Sequence, residues 1–134
     1  MRIGIIGSGI VGQTIGAKLV ERGEDVVLGT RSPHNLEDKR GMGSPLKLLL
    51  NTTNAEVMVD PGKVGGGDHD LFVSGNDAAA KARVTELLSR WFCWRRVIDV
   101  GDITTARGTE MLLPIWVRLY GALGTPYFNF KIVR

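Results

Sequence analysis

The sequence predicts an α/β fold built on a mainly parallel sheet, and three observations carry that expectation. Short apolar runs bounded by glycine alternate with longer segments of helical periodicity. A first strand, a glycine turn, a helix and a second strand fit within residues 2–29, the size of a βαβ unit. The turn itself, Gly7-Ser8-Gly9-Ile10-Val11-Gly12, directly follows the first apolar run. With 134 residues, the chain is expected to form one domain spanning residues 1–134.

The elements follow in order. Arg2–Ile6 reads as a strand buried on both faces. Ile10, Val11, Ile15, Leu19 and Val20 recur at helical spacing between Gly9 and Arg22, and Gly23 ends that helix. Asp25–Gly29 supplies the second strand. Ser32–Pro45 has no long periodic segment, and Gly41, Gly43 and Pro45 restrict any helix there to a turn or two. Leu46–Leu50 is strand-like, although its four leucines suit a helix equally. Residues 51–59 are mixed, and Pro61–Asp68, with four glycines and a proline, reads as a surface loop.

Leu71–Ser74 reads as the next strand, and Asn76 or Asp77 as the cap of a helix through Ala78–Arg90 with Val84, Leu87, Leu88 and Trp91 facing inward. A strand at Arg96–Val100, an apolar helix over Thr105–Leu123 and an alternating strand over Tyr127–Val133 complete the chain. The expected order of the first five strands is 2-1-3-4-5, with Leu46–Leu50 beside the first. This is the plan of a Rossmann-like doubly wound sheet, here shortened.

Composition excludes several classes. Seventeen basic against fourteen acidic residues leave a formal charge of only +3, spread along the chain, so no nucleic-acid groove is expected. Met1-Arg2 followed by Ile3–Val11 superficially resembles a signal peptide, but four glycines and the lack of a small-residue cleavage site favour a buried strand and turn. Met111–Leu123 is too short and too interrupted to cross a bilayer. The single cysteine, Cys93, has no internal disulfide partner, which suits a reducing cytoplasm, and between Phe92 and Trp94 it reads as a buried structural thiol.

The glycine turn carries the chemistry. Gly7 permits the tight turn, Gly9 lets main chain approach a pyrophosphate, and Gly12 lets the helix sit close to the sheet. The amides of Ile10 and Val11 begin the helix, whose N-terminus attracts anions. About 20 residues past the glycines, a carboxylate would hold the ribose of NAD. Here the chain reads Thr30-Arg31-Ser32, and a guanidinium flanked by hydroxyls suits the 2′-phosphate of NADP, with Ser8 contributing from the turn.

No catalytic acid or base is evident. His34 and His69 read as solvated loop residues, and Asp68-His69-Asp70 cannot converge on a metal along a strand, so no metal site is expected. Asp99 and Asp102 stand at a strand end, where open α/β sheets bind ligands. The apolar residues of 111–120 suit a core helix or a subunit interface, and with the latter a homodimer.

The chain resembles the F420-dependent NADP oxidoreductases. The likeness rests on residues 1–31, on Phe72-Val73-Ser74-Gly75-Asn76-Asp77, on Val97-Ile98-Asp99-Val100-Gly101-Asp102-Ile103, on Ala106-Arg107-Gly108-Thr109-Glu110 and on residues 128–134. It departs after the second strand, where Gly41–Pro45 leads almost at once to Leu46–Asn54 and about a third of a typical member, including strands flanking the nicotinamide, is absent. The resemblance implies hydride transfer between NADPH and a deazaflavin, coenzyme F420, or a similar acceptor, with the rings positioned rather than acted on by an acid or base. Asn51 and Thr52 are the candidates near the redox centre. The alternative is an NADP-binding module without catalysis, acting as a sensor or partner subunit.

Overall fold

The computed structural model describes residues 2–29 and 53–134. β1 (Arg2–Ile6), α1 (Ile10–Glu21) and β2 (Asp25–Gly29) form a right-sized crossover unit, with β1 and β2 parallel from Arg2 opposite Asp25 to Ile6 opposite Gly29. α2 (Ala55–Val59) follows, then β3 (Leu71–Val73), α3 (Ala78–Phe92) and β4 (Val97–Asp99), with β3 and β4 parallel and Leu71 opposite Val97. α4 (Ala106–Glu110) and α5 (Leu112–Leu123) complete the helices. The fold is α/β and Rossmann-like, with short parallel sheets.

Two of the expected strand pairings, 2-1 and 4-5, are present as separate two-stranded sheets among the described residues. The strand expected at Leu46–Leu50 lies outside the described residues.

The core joins the two halves. Leu19 of α1, Val59 of α2, Phe92 of α3 and Trp94 form its buried centre, with Ile3, Ile5, Val26, Leu71 and Val97 packed around it from one face of each sheet. The Trp94 indole N–H donates to the Met58 carbonyl at 2.7 Å, which satisfies the one polar atom this large side chain brings into the interior. Phe92 and Trp94 are available to the core because Cys93 between them adopts a left-handed conformation, φ 65°, and ends α3.

Several sequence expectations are corrected. Cys93 is exposed rather than buried, because that cap turns its thiol outward while its neighbours turn in. Val84 is also exposed, and Phe92 takes the inner position at the end of the α3 stripe. Residues 61–67 are two tight 3-10 turns, not a simple surface loop: Pro61 and Gly67 are buried, and Gly65, Gly66 and Gly67 all have positive φ. The expected helix over 105–123 is broken at Met111 into α4 and α5, preceded by a 3-10 turn at Ile103–Thr105. Residues 127–133 form no strand among the described residues.

What holds that last segment is a buried polar cluster. His69, read from sequence as solvated, is buried, with Nε2 3.0 Å from the Pro61 carbonyl and Nδ1 2.8 Å from Asn129 Nδ2. Asn129 can only donate through that nitrogen, so Nδ1 accepts and the ring proton sits on Nε2, pointing at Pro61. Asp70, fully buried, accepts the Ile132 N–H at 2.6 Å, while its own N–H donates to the Phe130 carbonyl at 3.0 Å. Arg96 Nε lies 2.8 Å from the other Asp70 oxygen as an ion pair whose N–H is not aimed at it, and Arg96 Nη2 donates to the Ile132 carbonyl.

Candidate functional site: the glycine turn at the first crossover

Gly7 has φ 113°, a conformation that side-chain-bearing residues rarely adopt, so the chain can leave β1 and reverse at once. Its N–H donates to the Gly29 carbonyl at 2.9 Å, which ties the turn to the end of β2. Gln13 adds a second tie, its side-chain amide donating to the Ser8 carbonyl at 2.8 Å. Sequence reasoning missed Gln13, which follows Gly12 on the first turn of α1 but belongs to no motif.

Gly12 is demanded by packing. A Cβ there would lie 2.2 Å from the Gly7 carbonyl oxygen, a backbone atom that cannot step aside without breaking the turn. Gly16, one turn later, is buried and its Cβ would meet Ile5 Cδ1 at 3.3 Å. The two glycines let α1 lie close on β1.

Gly9 differs from both. Its backbone is extended, φ −71° and ψ 172°, which any residue can adopt, and a Cβ there would meet nothing within 4 Å. Gly9 is the N-cap of α1 without a side-chain cap, so the first amides of a 12-residue helix are not covered by a capping side chain. Gly7, Gly9 and Ile10 are exposed, while Ser8, Val11 and Gly12 are half-buried. The first turn of α1 holds no acidic residue to repel an anion. These features fit a pyrophosphate over Gly9.

A cavity of about 320 Å³ opens beside the turn, lined largely by apolar groups of α1 and β2, among them Ala17, Val20, Val26 and Leu28. Thr30, Arg31 and Ser32 lie outside the described residues, as do Asn51 and Thr52. What is placed is the point from which the first three depart, since the Gly29 carbonyl is hydrogen-bonded to Gly7.

The second expected ligand position, at the ends of β3 and β4, is internally satisfied. Lys81 Nζ contacts Asp99 at 2.8 Å and donates to the Gly101 carbonyl at 3.0 Å, while Asp99 accepts the Gly101 N–H at 2.9 Å. The Lys81 ammonium, helped by the Gly101 amide, holds the Asp99 carboxyl below the usual carboxylate range. Asp102 accepts from the Thr104 hydroxyl and amide, which lower its pKa likewise. Both are fixed carboxylates with structural partners rather than poised bases. The Ser74 and Thr105 hydroxyls lie 3.1 Å apart, and the Asn76 side chain accepts the Ile103 N–H, so β3 and β4 end in one knotted set of loops.

Among the described residues no cluster of three or more metal-ligating side chains occurs, and no helix is long and apolar enough to cross a membrane.

Residues 2–61 match the family model described as NADP oxidoreductase, coenzyme F420-dependent. The chain is also similar to a solved structure from Arthrobacter sp. FB24, named as a candidate F420-dependent NADP reductase, at 33% identity and a TM-score of 0.84, and the match covers 100% of each chain. No curated protein matches it. That end-to-end likeness, together with the glycine turn that the family model covers, shows that the chain belongs to the F420-dependent NADP oxidoreductase family.

Proposed function

We propose that the protein is an oxidoreductase that binds NADP(H) and passes hydride between NADPH and coenzyme F420 or a similar deazaflavin acceptor, as a single NADP-binding domain over residues 1–134. Gly9 carries the reading. Neither its backbone conformation nor its surroundings in the free protein call for glycine, whereas main chain approaching a pyrophosphate does. Gly7, Ser8, Gly9, Ile10, Val11 and Gly12 would hold the pyrophosphate. Thr30, Arg31 and Ser32, with Ser8, would hold the 2′-phosphate, and Asn51 and Thr52 would stand near the redox centre.

When bound, NADPH supplies the hydride and the acceptor takes it. The chain's own task is to anchor one end of the dinucleotide rigidly and keep water from the reacting rings. Direct transfer between rings needs no side-chain acid or base, which agrees with the structural commitments of Asp99 and Asp102.

A homodimer and a cytoplasmic setting belong to the same proposal. Of the apolar residues of α5, Trp116 is buried, stacked at 4.9 Å on Phe128, but Leu113, Ile115, Val117, Tyr120 and Leu123 are exposed, and such a surface suits a second subunit. The deciding experiment follows NADPH absorbance with and without oxidised F420. F420-dependent loss of absorbance supports the enzyme. Quenching or enhancement of NADPH fluorescence without turnover would instead identify a binding module, and no response in either measurement would end the nucleotide reading itself.

A further inference from the structure

A second cavity, of about 480 Å³, lies against β3 and β4 and is lined by Phe72, Val97 and Ile98 of the two strands together with the C-terminal segment. Leu71 and Val97 pack toward the core, so by strand alternation Phe72 and Ile98 point the other way. Phe72, Ile98, Val100 and Ile132 give this cavity an apolar floor, and Arg95 and Arg134 stand with Arg96 at its border.

The three guanidiniums are not equivalent. Arg96 is engaged, pairing with buried Asp70 and donating to the Ile132 carbonyl. Arg95 and Arg134 have no hydrogen bond or ion pair from their side chains among the described residues. Two side-chain carboxylates stand near: Asp68 is bound by Lys131, which with Arg96 and Arg95 lowers its pKa, and Asp70 serves Arg96 and the Ile132 amide. The cleft therefore joins a partly exposed apolar surface to two guanidiniums without a hydrogen bond or ion pair among the described residues, at a size typical of small-molecule sites, roughly 300–1,000 Å³.

We infer that this cleft binds a small carboxylate with an apolar body, its chain or ring lying on Phe72, Ile98 and Ile132 and its carboxylate reaching Arg95 and Arg134. Both halves of the ligand are required by the argument. An arginine fork matches a carboxylate in charge and plane, but a solvent-exposed pair alone would hold it weakly. The apolar floor supplies the remainder by removing the ligand's apolar surface from water. The site is separate from the glycine turn and does not depend on the nucleotide reading.

Octanoate is the probe, titrated calorimetrically into the full chain. One saturable site is expected, with octanol, which lacks the charge, binding about tenfold more weakly or less, and inorganic phosphate failing to displace octanoate. Arg95→Glu and, separately, Arg134→Glu should each weaken octanoate by about tenfold while keeping a cooperative thermal transition. Saturating NADPH should leave the octanoate isotherm unchanged. Equal affinity for octanol, displacement by phosphate or by NADPH, wild-type affinity in whichever charge-reversal variants remain folded, or no saturable heat with millimolar octanoate would each overturn the assignment.

Discussion

The Cβ that Gly12 lacks would stand 2.2 Å from the carbonyl oxygen of Gly7, so the first turn of α1 and the end of β1 are fitted to each other with no room for a methyl group. Gly9, three residues earlier, is free of any such restriction. The two glycines of one motif should thus separate experimentally. Gly12→Ala should lower the thermal midpoint, because contact at that distance forces the helix off the strand, at a cost of about 1–3 kcal/mol. Gly9→Val should leave the midpoint nearly unchanged and abolish binding of NADPH and NADH alike. Thermal unfolding and nucleotide fluorescence on both variants check the pair; a stable Gly12→Ala protein, or undiminished binding by Gly9→Val, would contradict the respective role.

Arg31→Asp addresses selectivity between the two nucleotides. A guanidinium at the 2′-phosphate contributes a charge-assisted contact worth about 1.5–3 kcal/mol, and a carboxylate in its place repels that phosphate. NADPH affinity should fall by about tenfold or more while NADH affinity holds or improves. Equal losses for both nucleotides in parallel titrations would place Arg31 elsewhere.

The parts of the fold legible in sequence were those where one local signal had one cause. β1 and β2 have the bounds that their glycine-limited apolar runs give, and Asp77 caps α3 by accepting the Ala80 N–H at 2.9 Å. Misreadings arose where a local pattern served a distant partner. The alternation of Phe128, Phe130 and Ile132 looks like a strand, but Phe128 stacks on Trp116 and the main chain around Phe130 and Ile132 is held by Asp70. The glycines of 65–67 suggest exposure, yet their positive φ values close tight turns that bring Pro61 over His69. At the candidate site, the motif was plain and Gly12's packing role followed from it; the tie from Gln13 to Ser8 has no sequence signature of its own.

Asp70 makes the C-terminal segment part of the fold. Its carboxylate is fully buried, bound by the Ile132 amide and paired with Arg96. Asp70→Asn keeps the shape but removes the charge that balances Arg96, and should destabilise by about 2 kcal/mol, the side of Arg96 that meets solvent softening the loss. Hydrogen exchange should accelerate over residues 127–133 well before the rest of the chain. An unchanged midpoint and unchanged protection there would show that the Asp70 charge does not hold the segment.

Acid should loosen the ends of β3 and β4. Asp99 is held below the ordinary carboxylate range by Lys81, and Asp102 by Thr104. A carboxylate with a depressed pKa contributes stability that is complete above its unfolded value, about 4, and is lost as pH falls through the folded value. The contribution of these two carboxylates should therefore be complete from neutrality to about pH 4 and decline below it. Lys81→Met should lower the neutral midpoint and flatten part of that acid decline, since Asp99 no longer has its ammonium partner. Thermal scans across the acid range test this; identical acid slopes in the variant and the parent would remove Lys81 from the account.

Alkali should act at a different joint. Tyr127 donates its hydroxyl to Glu56 at 2.6 Å, and Lys63 reaches the same carboxylate oxygen at 3.0 Å, so one side chain of α2 fastens both the 3-10 turn and the start of the C-terminal segment. The Glu56 contact raises the pKa of both donors. A raised pKa contributes stability that is complete below the unfolded value, about 10 for tyrosine, and is lost as pH rises through the folded one. Ultraviolet titration should find a tyrosine ionising above the ordinary range, and Tyr127→Phe should remove that late transition while making the alkaline decline of the midpoint shallower. If the late transition survives in Tyr127→Phe, the hydroxyl of Tyr127 does not fasten the C-terminal segment to α2.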